Sequence, residues 1–126
     1  MRFAAQVRSH RIVTDQPERA GGEDTGVSPI ELLGASLGSC IAFYVQQFCH
    51  VRGLPYEGMQ VQVEQHGERN PARVAEFTVR VMMPPELPGR ELEMLERVVR
   101  SCPAHNTLAG EAAMIIEIVA PVGVVA

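Results

Sequence analysis

The chain has 126 residues, 46% of them apolar and 21% charged, and a formal net charge of −4. This length suits one domain over residues 1–126, and the ordinary composition excludes a disordered chain. The negative charge argues against a nucleic-acid-binding surface, and the absence of lysine excludes Schiff-base chemistry.

The N-terminal part of the chain predicts two short strands and a loop. The strands are expected at residues 2–8 and 10–14, around a tight turn at Ser9. Residues 15–27 contain glycine, proline and aspartate without a periodic pattern, which indicates a loop. Loops of this length in a compact domain are more often functional than not.

The longest helical signal covers residues 29–52. Ser28 is a suitable N-cap before a first-turn proline, Glu31 completes a capping box, and Gly53 ends the helix. Apolar residues cover most of its sides, so we expect burial in a core or in a subunit interface. Polar residues within it, such as His50, argue against a membrane span.

The remaining chain predicts a hairpin, two helices and a last strand. The hairpin strands alternate apolar and polar residues, and a proline-rich link at residues 84–89 follows them. The order β-β-α-β-β-α-α-β does not alternate as a parallel crossover fold requires, so we predict an α+β fold with a mainly antiparallel sheet on a long central helix. These later elements are expected at residues 59–66, 74–83, 90–100, 103–109 and 113–119.

Three cysteines are the candidate chemical groups. Cys40 and Cys49 lie roughly 13 Å apart along the predicted helix and on roughly opposite sides, so they cannot form a disulfide. Cys102 precedes Pro103 at the predicted N-cap of a short helix, where backbone N–H groups would favour its thiolate. It could approach either helical cysteine, and the small residues around Cys40 favour that partner. Alternatively, all three are small buried hydrophobes.

Two segments resemble the OsmC/Ohr superfamily of osmotically induced and organic-hydroperoxide-resistance proteins. They are Gly26-Val-Ser-Pro-Ile-Glu-Leu-Leu-Gly-Ala-Ser-Leu-Gly-Ser-Cys40 and Ser101-Cys-Pro-Ala-His-Asn-Thr-Leu108. The resemblance implies an OsmC-like fold in an intertwined homodimer, with the active sites at the subunit interface. It also implies a thiol peroxidase that needs no metal or organic cofactor. In the mechanism that the resemblance implies, Cys40 attacks an organic hydroperoxide and becomes a sulfenic acid. Cys102 condenses with this sulfenic acid, and an external dithiol restores both thiols.

One acidic residue departs from the pattern of the peroxidase members. In those proteins a glutamate directly after the proline orients an arginine that holds the reactive thiolate. Here Ile30 follows Pro29, and the acid stands at Glu31, ~100° further around the helix. We therefore expect Glu31 to serve the helix N-terminus rather than the active site, although both roles stay open.

The arginine and a histidine are the other supporting candidates. Arg8 is the first choice for the thiolate partner, with Arg11 and Arg19 as alternatives. His105 lies one helical turn after Cys102 and could stabilise its thiolate, or it could have a capping or packing role.

Three functions are therefore weighed. A peroxidase requires a lowered pKa at Cys40, and it would act with a small organic hydroperoxide, a dithiol reductant and a second copy of the chain. A non-catalytic module would bind a small apolar ligand at the dimer interface. A metal site of Cys40, Cys102 and His105 is disfavoured, because zinc sites usually have four ligands at closer spacing. Cys49 is expected to pack, and neither nucleic acid nor membrane is an expected partner.

The compartment follows from the cysteines and the N-terminus. The first residues lack the apolar run of a signal peptide. Three cysteines form an odd number, which fits functional thiols in a reducing compartment better than a secreted disulfide framework. We therefore expect a cytoplasmic protein.

Overall fold

A computed structural model describes residues 1–83 and 87–119. Within these residues, two antiparallel hairpins accompany three α-helices, which confirms the α+β class and the predicted order of the first seven elements. A turn of 3-10 helix, Glu18–Ala20, lies in the first long loop. The elements are β1 (Phe3–Val7), β2 (His10–Thr14), α1 (Pro29–Arg52), β3 (Gln60–Glu68), β4 (Arg73–Met82), α2 (Gly89–Arg100) and α3 (Pro103–Ala109).

Helix α1 begins and ends where its caps predict. The Ser28 hydroxyl accepts the Glu31 backbone N–H at 3.2 Å, and Gly53 closes the helix at a φ of 64°. In the described part of the chain, the Glu31 side chain makes no return bond to Ser28, so only half of the predicted capping box forms. Because α1 is long and apolar, its composition would also suit a membrane span. Part of this apolar surface, one stripe of the helix, is buried against the rest of the protein.

The core lies between α1, the β3–β4 hairpin, α2 and α3. Only one stripe of α1 is buried. Strand β3 packs closely on the helix at Gly38, where a Cβ would lie 3.2 Å from the Val63 side chain. On β4, the side chains that alternate toward the helices are half-buried. The buried apolar side chains are Leu37, Ile41, Val45, Cys49, Leu87, Leu95 and Cys102.

The β1–β2 hairpin stands apart from this core. Every residue of β1 is exposed, including Phe3 at 61% and Val7 at 51%. Beyond the loop, a parallel bridge between Thr14 and Val27 links the hairpin to the start of α1. We call residues 1–27 the N-terminal arm, because they contribute no residue to the buried apolar cluster.

The strand expected at residues 113–119 does not form in the single chain. This stretch has no regular secondary structure, and its large apolar side chains are at least 80% exposed. A strand needs a neighbouring backbone to satisfy its N–H and C=O groups, and neither hairpin pairs with this stretch. Of the predicted proline-rich link, residues 84–86 lie outside the described part of the chain.

Candidate active site

The structure brings two thiols together. Cys40 lies in the middle of α1, and Cys102 is the N-cap residue of α3, in the break between α2 and α3. Their sulfur atoms are 2.8 Å apart, and no disulfide joins them. Cys49 lies two and a half turns beyond Cys40 on the fully buried stripe of α1, where burial raises its pKa. The pair that can exchange a proton or form a disulfide is therefore Cys40 and Cys102.

The two thiols differ in accessibility. Cys40 is partly exposed on the flank of α1, whereas Cys102 has no exposed surface. A dissolved oxidant can thus reach Cys40 more easily than Cys102. This asymmetry favours Cys40 as the attacking group and Cys102 as the thiol that follows.

The N-terminus of α3 acts on the sulfur of Cys40 and not, as expected, on that of Cys102. Cys102 does occupy the N-cap of α3, but its side chain accepts no capping hydrogen bond. Instead, the backbone N–H of Ala104 favours the thiolate of Cys40. The prediction that these N–H groups serve Cys102 was wrong, because α1 packs across the start of α3 and places Cys40 there.

The net effect within one chain nevertheless opposes ionisation of Cys40. Contact with the Cys102 thiol, followed by burial, raises the pKa of Cys40 above its ordinary value, against the lowering effect of Ala104. A low pKa at Cys40 would require a cation that the described part of this chain does not bring to the sulfur.

The predicted supporting residues lie away from the sulfurs. Arg8 occupies the turn between β1 and β2 on the exposed arm, at a φ of 54°. Glu31 lies at the first turn of α1. His105 pairs with Asn106 at 3.3 Å, and within the described residues its ring makes no hydrogen bond to either sulfur.

Two depressions flank α1, and neither is lined by a thiol. A groove of about 580 Å³ runs beside β3 along the small residues of α1, from Val27 and Glu31 to Ala42. A cavity of about 530 Å³ lies between β4 and α2, and His105 belongs to its wall together with Glu96 and Arg100. Its remaining lining is apolar: Ile41, Phe77, Val79, Val81, Met83, Leu92, Leu95 and Val99.

No metal centre emerges from the described residues. Residues 1–83 and 87–119 contain no group of three or more His, Cys, Asp or Glu side chains placed to hold a metal ion. Cys40, Cys102 and His105 do not form a ligand set, because the histidine ring turns to Asn106 and the cavity wall.

Sequence reasoning missed two groups. The first is the Ala104 amide, which has no side-chain signal and becomes important only through helix packing. The second is Asp15, a loop residue that is only 2% exposed and organises residues 16–25 around its carboxylate. An aspartate that opens a glycine-rich loop with a threonine ten residues later is the signal that could have indicated it.

These features define a class: an α+β protein with one thiol on a long central helix and a second thiol at the start of a short helix packed on it. The OsmC-like protein family model matches residues 21–117, which is most of the chain. The protein therefore belongs to the OsmC-like family. No curated protein matches the sequence.

Solved structures agree on the fold. An OsmC-like protein from Mycoplasma pneumoniae is 21% identical, with a TM-score of 0.71, over 85% of this chain and 78% of that one. An osmotic stress and detoxification response protein from Psychrobacter arcticus is 23% identical, with a TM-score of 0.77, over 84% and 79%. An organic hydroperoxide resistance protein from Legionella pneumophila is 21% identical, with a TM-score of 0.56, over 87% and 88%.

Proposed function

We propose that this protein is a thiol-dependent peroxidase that reduces small organic hydroperoxides through Cys40 and Cys102. The observation that carries the proposal is the 2.8 Å separation of the two sulfur atoms, with only Cys40 partly exposed. Two comparisons support the same activity. The chain belongs to the OsmC-like family, and its structural neighbours include an organic hydroperoxide resistance protein.

The reaction divides into three balanced steps. The Cys40 thiolate attacks the distal oxygen of the hydroperoxide, so the O–O bond breaks, an alcohol leaves after protonation, and Cys40 becomes a sulfenic acid. The Cys102 sulfur then attacks the sulfenic sulfur, which forms a disulfide and releases water. An external dithiol reduces this disulfide by exchange and is itself oxidised. The second step needs little movement, since the sulfurs are already in contact.

The first step needs a Cys40 thiolate, and we propose that a second copy of the chain supplies the missing cation. Arg8, Arg11 and Arg19 all lie on the N-terminal arm, which projects from the core and could reach the thiols of a partner. Outside its buried stripe, α1 exposes apolar side chains, with Phe43 at 58% and Val51 at 78%. A homodimer would cover this face together with the exposed residues 113–119.

The test is hydroperoxide turnover with matched cysteine variants. Consumption of cumene hydroperoxide is followed with dithiothreitol or a lipoylated dithiol as the reductant. Turnover should be lost in Cys40→Ser and retained in Cys49→Ala, which alters the cysteine that does not touch the pair. In Cys102→Ser, one equivalent of peroxide should leave a sulfenic acid that dimedone traps. Turnover unchanged by Cys40→Ser would end the proposal.

A second candidate function is non-catalytic: the protein would bind a small apolar ligand at the interface of the proposed dimer. It is favoured by the raised pKa of Cys40 within one chain and by the apolar cavity between β4 and α2. It predicts that the pKa of Cys40, from alkylation of the intact protein, is no lower than that of an ordinary thiol. The peroxidase predicts a lower one, so the pH dependence of alkylation separates the two. In either case we expect a cytoplasmic protein.

A further inference from the structure

The loop of the N-terminal arm is built around one buried carboxylate. Asp15 is only 2% exposed, and both of its oxygens accept hydrogen bonds from the loop itself. These bonds lower the pKa of Asp15, with the Thr25 hydroxyl contributing most, and the Met1 amino group lies 3.4 Å from Oδ1. The donors are the backbone N–H groups of Gln16 (2.8 Å), Glu23 (3.2 Å) and Thr25 (3.1 Å), and the Thr25 hydroxyl (2.7 Å).

Hydrogen bonds, rather than apolar burial, hold this loop closed. Those to Asp15 are joined by backbone bonds such as that from the Asp24 N–H to the Gln16 carbonyl at 3.1 Å. No apolar side chain of residues 16–27 is buried. The backbone also passes so close to the carboxylate that a Cβ at Gly22 would lie 2.8 Å from Oδ1 of Asp15 and would clash with the Gln16 carbonyl. The loop can therefore open by local unfolding without disturbing the core, which contains no residue of the arm.

Closure of the loop determines how the arm joins α1. The Asp15 backbone N–H donates to the Val27 carbonyl at 3.1 Å, and Thr14 bridges the same residue. Val27 is followed at once by Ser28, the N-cap of α1. The two ends of the loop thus meet at the start of the helix that carries Cys40. If the loop opened, the direction of the hairpin relative to α1 would no longer be defined.

We propose that Asp15 is a positioning residue that fixes the N-terminal arm on α1 and thereby places an arginine of the arm beside Cys40 of a second copy. This inference rests on the homodimer of the proposed function. All three candidate arginines, Arg8, Arg11 and Arg19, lie on the arm, so it holds whichever of them approaches the sulfur. Asp15 itself touches neither thiol and acts only through the position of the arm.

The experiment compares loop order with the acidity of Cys40 in the full-length protein. Amide hydrogen exchange of residues 16–25 reports loop closure, and iodoacetamide labelling of the Cys40 peptide against pH reports its pKa. Asp15→Asn and Thr25→Val each weaken the set of bonds. Thr25→Ser keeps the hydroxyl, and Asp24→Asn makes the same charge change at an exposed acid of the loop.

Asp15→Asn and Thr25→Val should exchange faster in the loop and raise the apparent pKa of Cys40 by about one unit, the lower end of the effect of one nearby opposite charge. Labelling well below the pKa would then slow about tenfold. Thr25→Ser and Asp24→Asn should behave as the wild type. Faster exchange with an unchanged Cys40 pKa would refute the positioning role, and unchanged exchange would refute loop closure by Asp15.

Two further outcomes keep this inference separate from the proposed function. A wild type without hydroperoxide turnover would end the peroxidase proposal, whereas the labelling of Cys40 needs only its thiol and would still decide the role of Asp15. Should Asp15→Asn fail to fold, Thr25→Val carries the test, because it removes only the hydroxyl donor and keeps the carboxylate with its three backbone N–H bonds.

Discussion

Replacing Ile116 by aspartate tests whether a second copy of the chain covers residues 113–119. Ile116 is 85% exposed in the single chain, so in a monomer the change should alter the free energy of unfolding by only about 0.5 kcal/mol. If a partner buries the side chain, its loss costs about 1.5–3 kcal/mol. A two-fold symmetric interface contains the residue twice, so the loss doubles to about 3–6 kcal/mol per dimer. The dimer dissociation constant should then rise on the order of 10²–10⁴-fold.

Sedimentation equilibrium over a range of concentrations measures that constant directly. Glu117→Gln is the matched control, because it changes the neighbouring exposed residue, which is the polar member of the segment, without removing apolar surface. We expect it to leave the dissociation constant within a few-fold of the wild-type value. A wild-type protein that is monomeric at all concentrations, or an Ile116→Asp protein with the wild-type constant, would refute the reasoning.

Three other predictions concern packing and charge. Cys49→Ala should lower the free energy of unfolding by about 1 kcal/mol in urea titrations, because it empties part of a fully buried site, and it should leave hydroperoxide turnover in place. Arg52→Ala should lower the free energy of unfolding by about 0.5–1 kcal/mol, since the guanidinium lies 3.7 Å from Glu91 of α2 and over the Phe48 ring. The control Arg97→Ala, at an exposed arginine of α2, should lower it less. The lowered pKa of Asp15 stabilises the fold at neutral pH, and this contribution should fade as the pH falls below about 4. If acidification lowers the melting temperature of Asp15→Asn as much as that of the wild type, this prediction is contradicted.

Much of the fold could be predicted because its signals are local. Ser28 and Gly53 bound α1 at the predicted residues, and the alternating pattern located β3 and β4 to within two residues at each end. The residues of the last predicted strand show where such signals stop. Ala113 to Val119 has strand-like composition, but a strand forms only against a neighbouring backbone, and the single chain offers none to it.

The candidate site, like the fold, could be predicted only in part. Helical geometry alone excluded a Cys40–Cys49 pair, and residue order alone placed Cys102 before the proline that starts α3. The spacing left open whether Cys102 meets Cys40 or Cys49. The small residues around Cys40 favoured the first, and the resemblance to the OsmC/Ohr superfamily implied it. Asp15 was not singled out from the sequence, since its role depends on backbone N–H groups eight to ten residues away.

By itself, the amino-acid sequence determined the first seven elements, the ends of the central helix and the inability of the two helical cysteines to pair, because these depend on neighbouring residues and on backbone geometry. Only the tertiary structure decided which face of α1 is buried, and with it the 2.8 Å contact between Cys40 and Cys102. It also decided that the Ala104 N–H favours the Cys40 thiolate and that contact and burial raise the Cys40 pKa. These are properties of surfaces brought together from distant parts of the chain, and no local pattern encodes them.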